Sequence, residues 1–126
     1  MPQVDKLAPE ELRAGRVVSG WHRMLFSSSL ATNTNKFYLL QLVATADGDG
    51  GAERYWFFSR FGRVGEAGCN NAQWPFDKLA EAKKLFEKKF RDKTGNTWAK
   101  AQGGKFVMRP GKYYPEDLCP GLIRYR

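Results

Sequence analysis

Cysteine and histidine are nearly missing from this chain, and several kinds of chemistry go with them. The two cysteines, Cys69 and Cys119, stand far apart with no second pair and no His-x-x-x-His nearby. Neither a disulfide framework nor a zinc site is suggested, and a reducing compartment fits best. His22 is the single histidine, and no Ser-His-Asp constellation is legible around it, so a structural or solvated role is expected for that ring. Long apolar runs are absent too; stretches such as Phe37 to Leu40 fall far short of a bilayer span,. Met1 to Glu11 holds two prolines and three acids without an apolar core, which reads as neither a secretory signal nor an Arg-rich transit peptide. There is no Gly-x-Gly-x-x-Gly between strand and helix and no Gly-x-x-x-x-Gly-Lys-Ser/Thr loop, which disfavours nucleotide hydrolysis. The carboxylates are scattered without a visible pair for glycosidase chemistry. No catalytic set, metal site or cofactor is expected.

What is present is a folded, basic, aromatic-rich domain. At 126 residues, 42% hydrophobic and 14% aromatic, the chain suits one domain with one modest core. The net charge of +8 is uneven: from Cys69 to Arg126 thirteen Lys/Arg face six acids, whereas the earlier parts are close to balance. A basic face fits a polyanion such as nucleic acid or an acidic membrane surface, and fits equally a solvated face that keeps the protein soluble.

In chain order, residues 1–15 read as a mobile leader or linker with little apolar periodicity and no site. Val17, Val18, Trp21, Met24, Leu25 and Phe26 make a first strand or an apolar clasp. Phe37 to Ala44 reads as a central strand buried on both faces, and Ala46 to Gly51 as a hairpin loop. Glu53 to Phe61 resumes the sheet, with Tyr55, Phe57, Ser59 and Phe61 on one side and Arg54, Trp56, Phe58 and Arg60 on the other. A tight turn at Gly62 and a short strand from Arg63 to Cys69 are expected next. Phe76, Leu79, Ala82, Phe86 and Phe90 recur as one helical stripe, with Asp77 as N-cap and Gly95 as the left-handed stop. Lysines crowd the other helix faces, read as a solvated back ahead of a phosphate-tracking surface. Trp98 reads as a core plug, Phe106 to Met108 as a short strand, and Pro110-Gly111 as a turn leading to Lys112-Tyr113-Tyr114.

The densest stretch is Tyr55 to Gly68, where aromatics run into glycines at Gly62, Gly65 and Gly68, with Arg63 between the first two. Phe61-Gly62-Arg63-Val64-Gly65 resembles the signature of the WGR domain of poly(ADP-ribose) polymerases, with Phe61 in place of the tryptophan. The likeness continues through Asn35 to Leu42, Phe86 to Phe90, Thr94 to Trp98 and Pro110 to Tyr113. It implies an α+β fold: a single WGR-type domain spanning 16–118, an antiparallel β-sheet with one main α-helix packed across one face, followed by a tail at 119–126.

In the DNA-dependent members of that family the domain grips the end of a broken strand, and the resemblance implies matching roles here. Asn35 and Lys36 would reach the terminal 5′ phosphate, Arg63 would sit at the break, Phe61 would stack on the terminal nucleotide beside Gly62, and Tyr113 matches the tyrosine of Pro-Gly-Lys-Tyr. The residue types suit this work, since Arg forks match phosphate and rings stack on bases. Plainer roles stand beside these: Phe61 as a half-buried sheet residue, Lys36 as a solvated strand end, Arg63 as a partner for Glu66, Tyr113 as a core or edge residue, and Asn35 as turn chemistry. The implied partners are DNA with strand breaks and, in a parent protein, a helical regulatory domain and an ADP-ribosyltransferase domain, in the nucleus. The chain itself is read as no enzyme, either an excised domain or a stand-alone WGR protein. RNA binding, and a structural or protein-interaction role without break sensing, stay open beside DNA, and no membrane partner is expected.

Overall fold

Phe37 to Ala44 are buried without interruption, which requires cover on both faces of a strand. The computed structural model, which describes residues 2–29, 32–46, 51–73 and 75–116, supplies that cover. An antiparallel sheet is built from β1 (Arg16–Ser29), β2 (Thr34–Ala46), β3 (Glu53–Arg63), β4 (Cys69–Ala72) and β5 (Tyr114–Pro115). Its order is β4-β3-β2-β1-β5, so β2 is central as expected. The expected loop between β2 and β3 falls mostly on 47–50, and Leu118, Cys119 and the tail to Arg126 also lie outside the described residues.

Strand alternation gives β2 two apolar faces. Tyr38, Leu40 and Leu42 join Phe57, Leu25, Ala82, Phe86, Phe90 and Trp98 in one core, while Leu39 and Val43 join Phe58, Ala8 and Leu12 in the other. The first core lies under the main helix, α2 (Leu79–Thr94). Its stripe of Ala82, Phe86 and Phe90 is fully buried, and Gly95 closes it at φ +72° with its N–H on the Arg91 carbonyl. The start differs from expectation. Phe76 is paired with Tyr55 by two backbone hydrogen bonds, at 2.9 and 2.6 Å. That extended bridge keeps Phe76 off the helix and shifts the N-cap from Asp77 to Lys78, whose side chain makes no capping bond. Asp77 instead meets Arg54 at 3.5 Å.

Beyond Gly95 the short α3 (Trp98–Gln102) is capped by Thr97. It sets Trp98 against Trp21, Phe86 and Phe90 at centroid distances of 5.2, 4.9 and 5.0 Å, the packing expected of a plug. Phe106 to Met108 do not form the expected strand. Asn96 takes the place of a strand neighbour: its Nδ2 donates to the Val107 carbonyl at 2.8 Å and its Oδ1 accepts from the Val107 N–H at 2.9 Å.

The second face holds the main correction. Residues 2–15 are no loose leader: they lie against the sheet and include α1 (Glu10–Arg13), with Ala8 and Leu12 buried against Leu39, Val43 and Phe58. Polar bonds fasten this strap where the sequence shows no periodicity. Buried Gln41 accepts from the Asp5 N–H with Oε1 at 3.1 Å. Its Nε2 must then donate, and it reaches the Gln3 carbonyl at 2.9 Å and His22 Nδ1 at 3.0 Å. His22 is thus a neutral acceptor at Nδ1, and its structural role is that of a strap fastening.

Leu12→Ala removes a fully buried side chain and should cost about 2–5 kcal/mol in urea unfolding, whereas Leu7→Ala on the exposed side of the strap should cost far less. Burial first, then Arg23, holds the His22 pKa below its ordinary 6.5, against the opposing pull of Glu116 and Asp5. The unfolded chain therefore binds this proton at a pH where the folded one does not. The His22 contribution is full above that ordinary value and is lost as pH falls toward the folded pKa. Melting temperatures taken from about pH 7.5 down to about pH 5 should fall more steeply for wild type than for His22→Gln.

Candidate nucleic-acid interface

The chain does not turn at Gly62. β3 runs on to Arg63, because the β2 ladder continues past the Lys36 and Arg63 pair with a Val64 N–H to Asn35 carbonyl bond of 2.9 Å. The reversal occupies 64–68, with the Glu66 N–H on the Arg63 carbonyl at 3.1 Å, Gly65 at φ +94° and Gly68 at φ +75°. The short strand that follows is Cys69–Ala72, paired back on β3 with Cys69 opposite Phe61. Gly62 and Gly68 are needed for contact rather than for turning at Gly62. A Cβ on Gly62 would stand 2.8 Å from the Gly68 Cα, and one on Gly68 would run into the Phe61 carbonyl.

This register puts Lys36 opposite Arg63 and Tyr38 opposite Phe61, all four on the helix-covered face at the end the helix leaves open. Phe61 is 37% exposed and stacks on Tyr38, with centroids 5.0 Å apart and planes 11° from parallel. Tyr113 meets Tyr38 edge-on at 5.7 Å, and its backbone N–H bonds the Lys93 carbonyl at 2.8 Å. The Lys93 ammonium lies 5.0 Å from the Tyr38 ring centre. Lys36, Phe61, Arg63 and Tyr113 are therefore brought together. Asn35 and Gly62 share the same sheet end but belong to the opposite face: Gly62 pairs with Phe37, and the exposed Asn35 contributes its carbonyl to the ladder.

The electrostatics are one-sided. Lys36 and Arg63 are exposed, and among the described residues neither makes an ion pair, so the expected alternative of Arg63 with Glu66 is not realised. Burial raises the phenol pKa of Tyr38, opposed by a hydrogen bond from Ser59 and reinforced by Tyr113, and burial alone raises that of Tyr113. Both stay protonated donors at neutral pH.

Two members of this cluster escape a reading of the sequence that assigns the helix lysines to a solvated back. Lys93 follows Phe90 by three residues, so it extends the buried stripe toward the sheet. Tyr38 shares the strand face of Lys36 two residues on. Among the described residues no cluster of His, Cys, Asp and Glu could hold a metal, and no helix is long and apolar enough to cross a membrane.

The family model of the WGR domain matches residues 21–105. The chain belongs to the WGR domain family. It is 38% identical to human protein mono-ADP-ribosyltransferase PARP3 over 112 residues, covering 88% of this chain and 20% of that protein. It is 39% identical to human poly(ADP-ribose) polymerase 2 over 90 residues, 71% of this chain and 14% of the relative. Against the poly(ADP-ribose) polymerase of Drosophila melanogaster the figures are 35% over 91 residues, 72% and 9%. This WGR chain thus spans about a fifth or less of the relatives it matches. The strap and Tyr113 lie outside the matched stretch, yet both pack directly on it.

Within the glycine turn the two left-handed positions should respond differently. Gly65→Ala meets nothing within 4 Å and should lose only the left-handed backbone cost of about 1–2 kcal/mol. Gly68→Ala adds a collision with the Phe61 carbonyl, so urea unfolding should show a clearly larger loss for it than for Gly65→Ala.

Proposed function

We propose that this domain binds nucleic acid at DNA strand breaks, with the 5′-phosphorylated end held at the Lys36 and Arg63 end of the sheet. The observation that carries the reading is the like-charged pair itself. Two cations placed directly opposite on neighbouring strands repel, and neither has a protein carboxylate to offset that repulsion among the described residues. A phosphate between them removes the repulsion and gains charge-assisted hydrogen bonds. In this reading Arg63 offers its fork to the terminal phosphate and Lys36 a second charge. Phe61 presents a ring for the terminal base, and Tyr113 a phenol that donates. Asn35 and Gly62 act from the other side of the same edge, Asn35 through its exposed amide and Gly62 indirectly, by admitting the Gly68 backbone that closes the turn.

The transferase names of the relatives support a wider context. The parent protein would be an ADP-ribosyltransferase acting in the nucleus in DNA repair, with this domain passing the presence of a break to a helical regulatory domain and a catalytic domain. The substitution of Phe61 for the family's tryptophan favours a second reading, a WGR fold kept for protein interaction without break sensing.

Fluorescence anisotropy with 5′-phosphorylated, unphosphorylated and sealed hairpin duplexes separates these readings. The phosphorylated open end should bind tightest, with affinity falling as salt rises, and an RNA competitor should displace it poorly. Arg63→Ala should keep its melting temperature and lose roughly 1.5–3 kcal/mol of end binding. Lys36→Ala should weaken binding in the same direction, Lys84→Ala on the helix back much less, and Phe61→Trp should tighten it. Wild-type affinity in Arg63→Ala, with its fold intact, would remove the site, and equal affinity for all three duplexes would remove end recognition.

A further inference from the structure

Arg60 stands directly before the Phe61-Gly62-Arg63 motif, but on the other face of the sheet. Each of its three guanidinium nitrogens makes a hydrogen bond. Nε lies 3.2 Å from each carboxylate oxygen of Asp5, Nη2 donates to Asp5 Oδ2 at 2.9 Å, and Nη1 donates to the Ala67 carbonyl at 2.8 Å. The same group sits 5.0 Å from the centre of the Phe37 ring. The side chains of Arg60 and Asp5 are only 16% and 9% exposed.

A largely buried ion pair of this kind is poor evidence for stability, because desolvation offsets much of its attraction and apolar residues of similar volume often serve as well. What apolar packing cannot supply is a directed link between three chain segments. Arg60 ties the strap at Asp5 to β3 and to the glycine turn at Ala67. The bond to the Ala67 carbonyl is a side-chain anchor on the backbone of the 64–68 turn. The Phe37 ring on which Arg60 rests is also the surface that Gly62 and Gly68 approach: a Cβ on Gly62 would stand 3.7 Å from the ring and one on Gly68 3.2 Å from it. The crossing of Gly62 over Gly68 is therefore braced from beneath, and that crossing aims Phe61 and Arg63 on the opposite face.

We propose that Arg60 is a positioning residue for the nucleic-acid interface and that Asp5 locks it, so that seating of the N-terminal strap and binding of a DNA end are coupled. This inference rests on the binding role proposed for Arg63. Coupling of this sort is reciprocal: a strap that lets go loosens the turn, and an end bound at Arg63 tightens the strap.

The test uses the full chain. Asp5→Asn keeps side-chain volume but removes the charge, and Arg60→Met keeps an apolar stem over Phe37, so the pair gives two routes to a folded variant. Both should raise amide hydrogen exchange across 64–68 in the free protein and weaken binding of the 5′-phosphorylated duplex by about fivefold or more. Arg60→Lys should rescue little, since one ammonium cannot bridge both the Asp5 carboxylate and the Ala67 carbonyl. The deciding measurement is the double variant. If Asp5 acts through Arg63, Asp5→Asn should have almost no further effect in the Arg63→Ala background, whereas a general structural weakening would add fully. Additive losses, or unchanged exchange at 64–68, overturn the positioning role while leaving the interface in place. Wild-type affinity in Arg63→Ala alone removes the interface reading, and this inference with it.

Discussion

The register of β2 against β3 sets Lys36 opposite Arg63 and Tyr38 opposite Phe61, and a slip of one residue would send each to the other face. Hydrophobic alternation cannot protect that register, because β2 is buried on both sides. A single polar residue can. Gln41 is buried on the strap side, where the Asp5 N–H, the Gln3 carbonyl and His22 satisfy its amide. A slip would turn it into the aromatic core under α2 with no partner, at a cost of about 1–3 kcal/mol for each unsatisfied group. The strap thus does more than cover apolar surface: its backbone polar groups make one register of the central strand distinctly better than its neighbours.

The rest of the cluster is delivered by the far end of the chain. Gly95 ends α2 in the left-handed conformation, leaving Lys93 in the last helical turn. A cation is favourable there beside the unpaired carbonyls, and Lys93 leans over Tyr38. The chain then closes on itself through Trp98 and the Asn96 clamp on Val107. It returns so that Tyr114 pairs with Phe26 of β1, which leaves Tyr113 on the helix side against Tyr38. Aromatic packing and backbone pairing together carry Tyr113 to a site assembled from residues far earlier in the sequence.

How far the fold was legible follows from which forces act locally. The buried central strand, the helical stripe from Leu79 to Phe90 and the alternation of Tyr55 to Arg60 are written in side-chain period, the Gly95 stop in the backbone freedom of glycine, and the structure has each of them. The strap is not legible because its attachment is not periodic: Leu12 and Ala8 are isolated apolar residues, and Gln41, Arg60 and Asp5 hold it through polar bonds that span the sequence. The helix start moved because Phe76 bridges to Tyr55, a tertiary pairing that outweighs the local capping preference of Asp77. The chain passes straight through Gly62 because a glycine can mark a close approach as well as a bend, and only the partner, Gly68, distinguishes the two. At the interface, Lys36, Phe61, Arg63 and Tyr113 converge, while the split of Asn35 and Gly62 onto the other face follows from strand alternation alone.

Phenylalanine in place of the family's tryptophan changes the balance of forces in the proposed binding mode more than its shape. Phe61 lies almost parallel to Tyr38 and is partly open to solvent, so a base placed on its open side would continue a stack already begun within the protein. Each stacked base is worth about 1–3 kcal/mol, and in the proposed mode the smaller ring, lacking an indole N–H, would hold stacking toward the lower part of that range. The proposed phosphate grip would be undiminished, because Lys36 and Arg63 stand opposite each other across the strands whatever ring precedes Gly62. The electrostatic share of the proposed end binding would therefore rise as the stacking share falls. Under that proposal, a domain so arranged would recognise the charge at a strand end more than the base beside it.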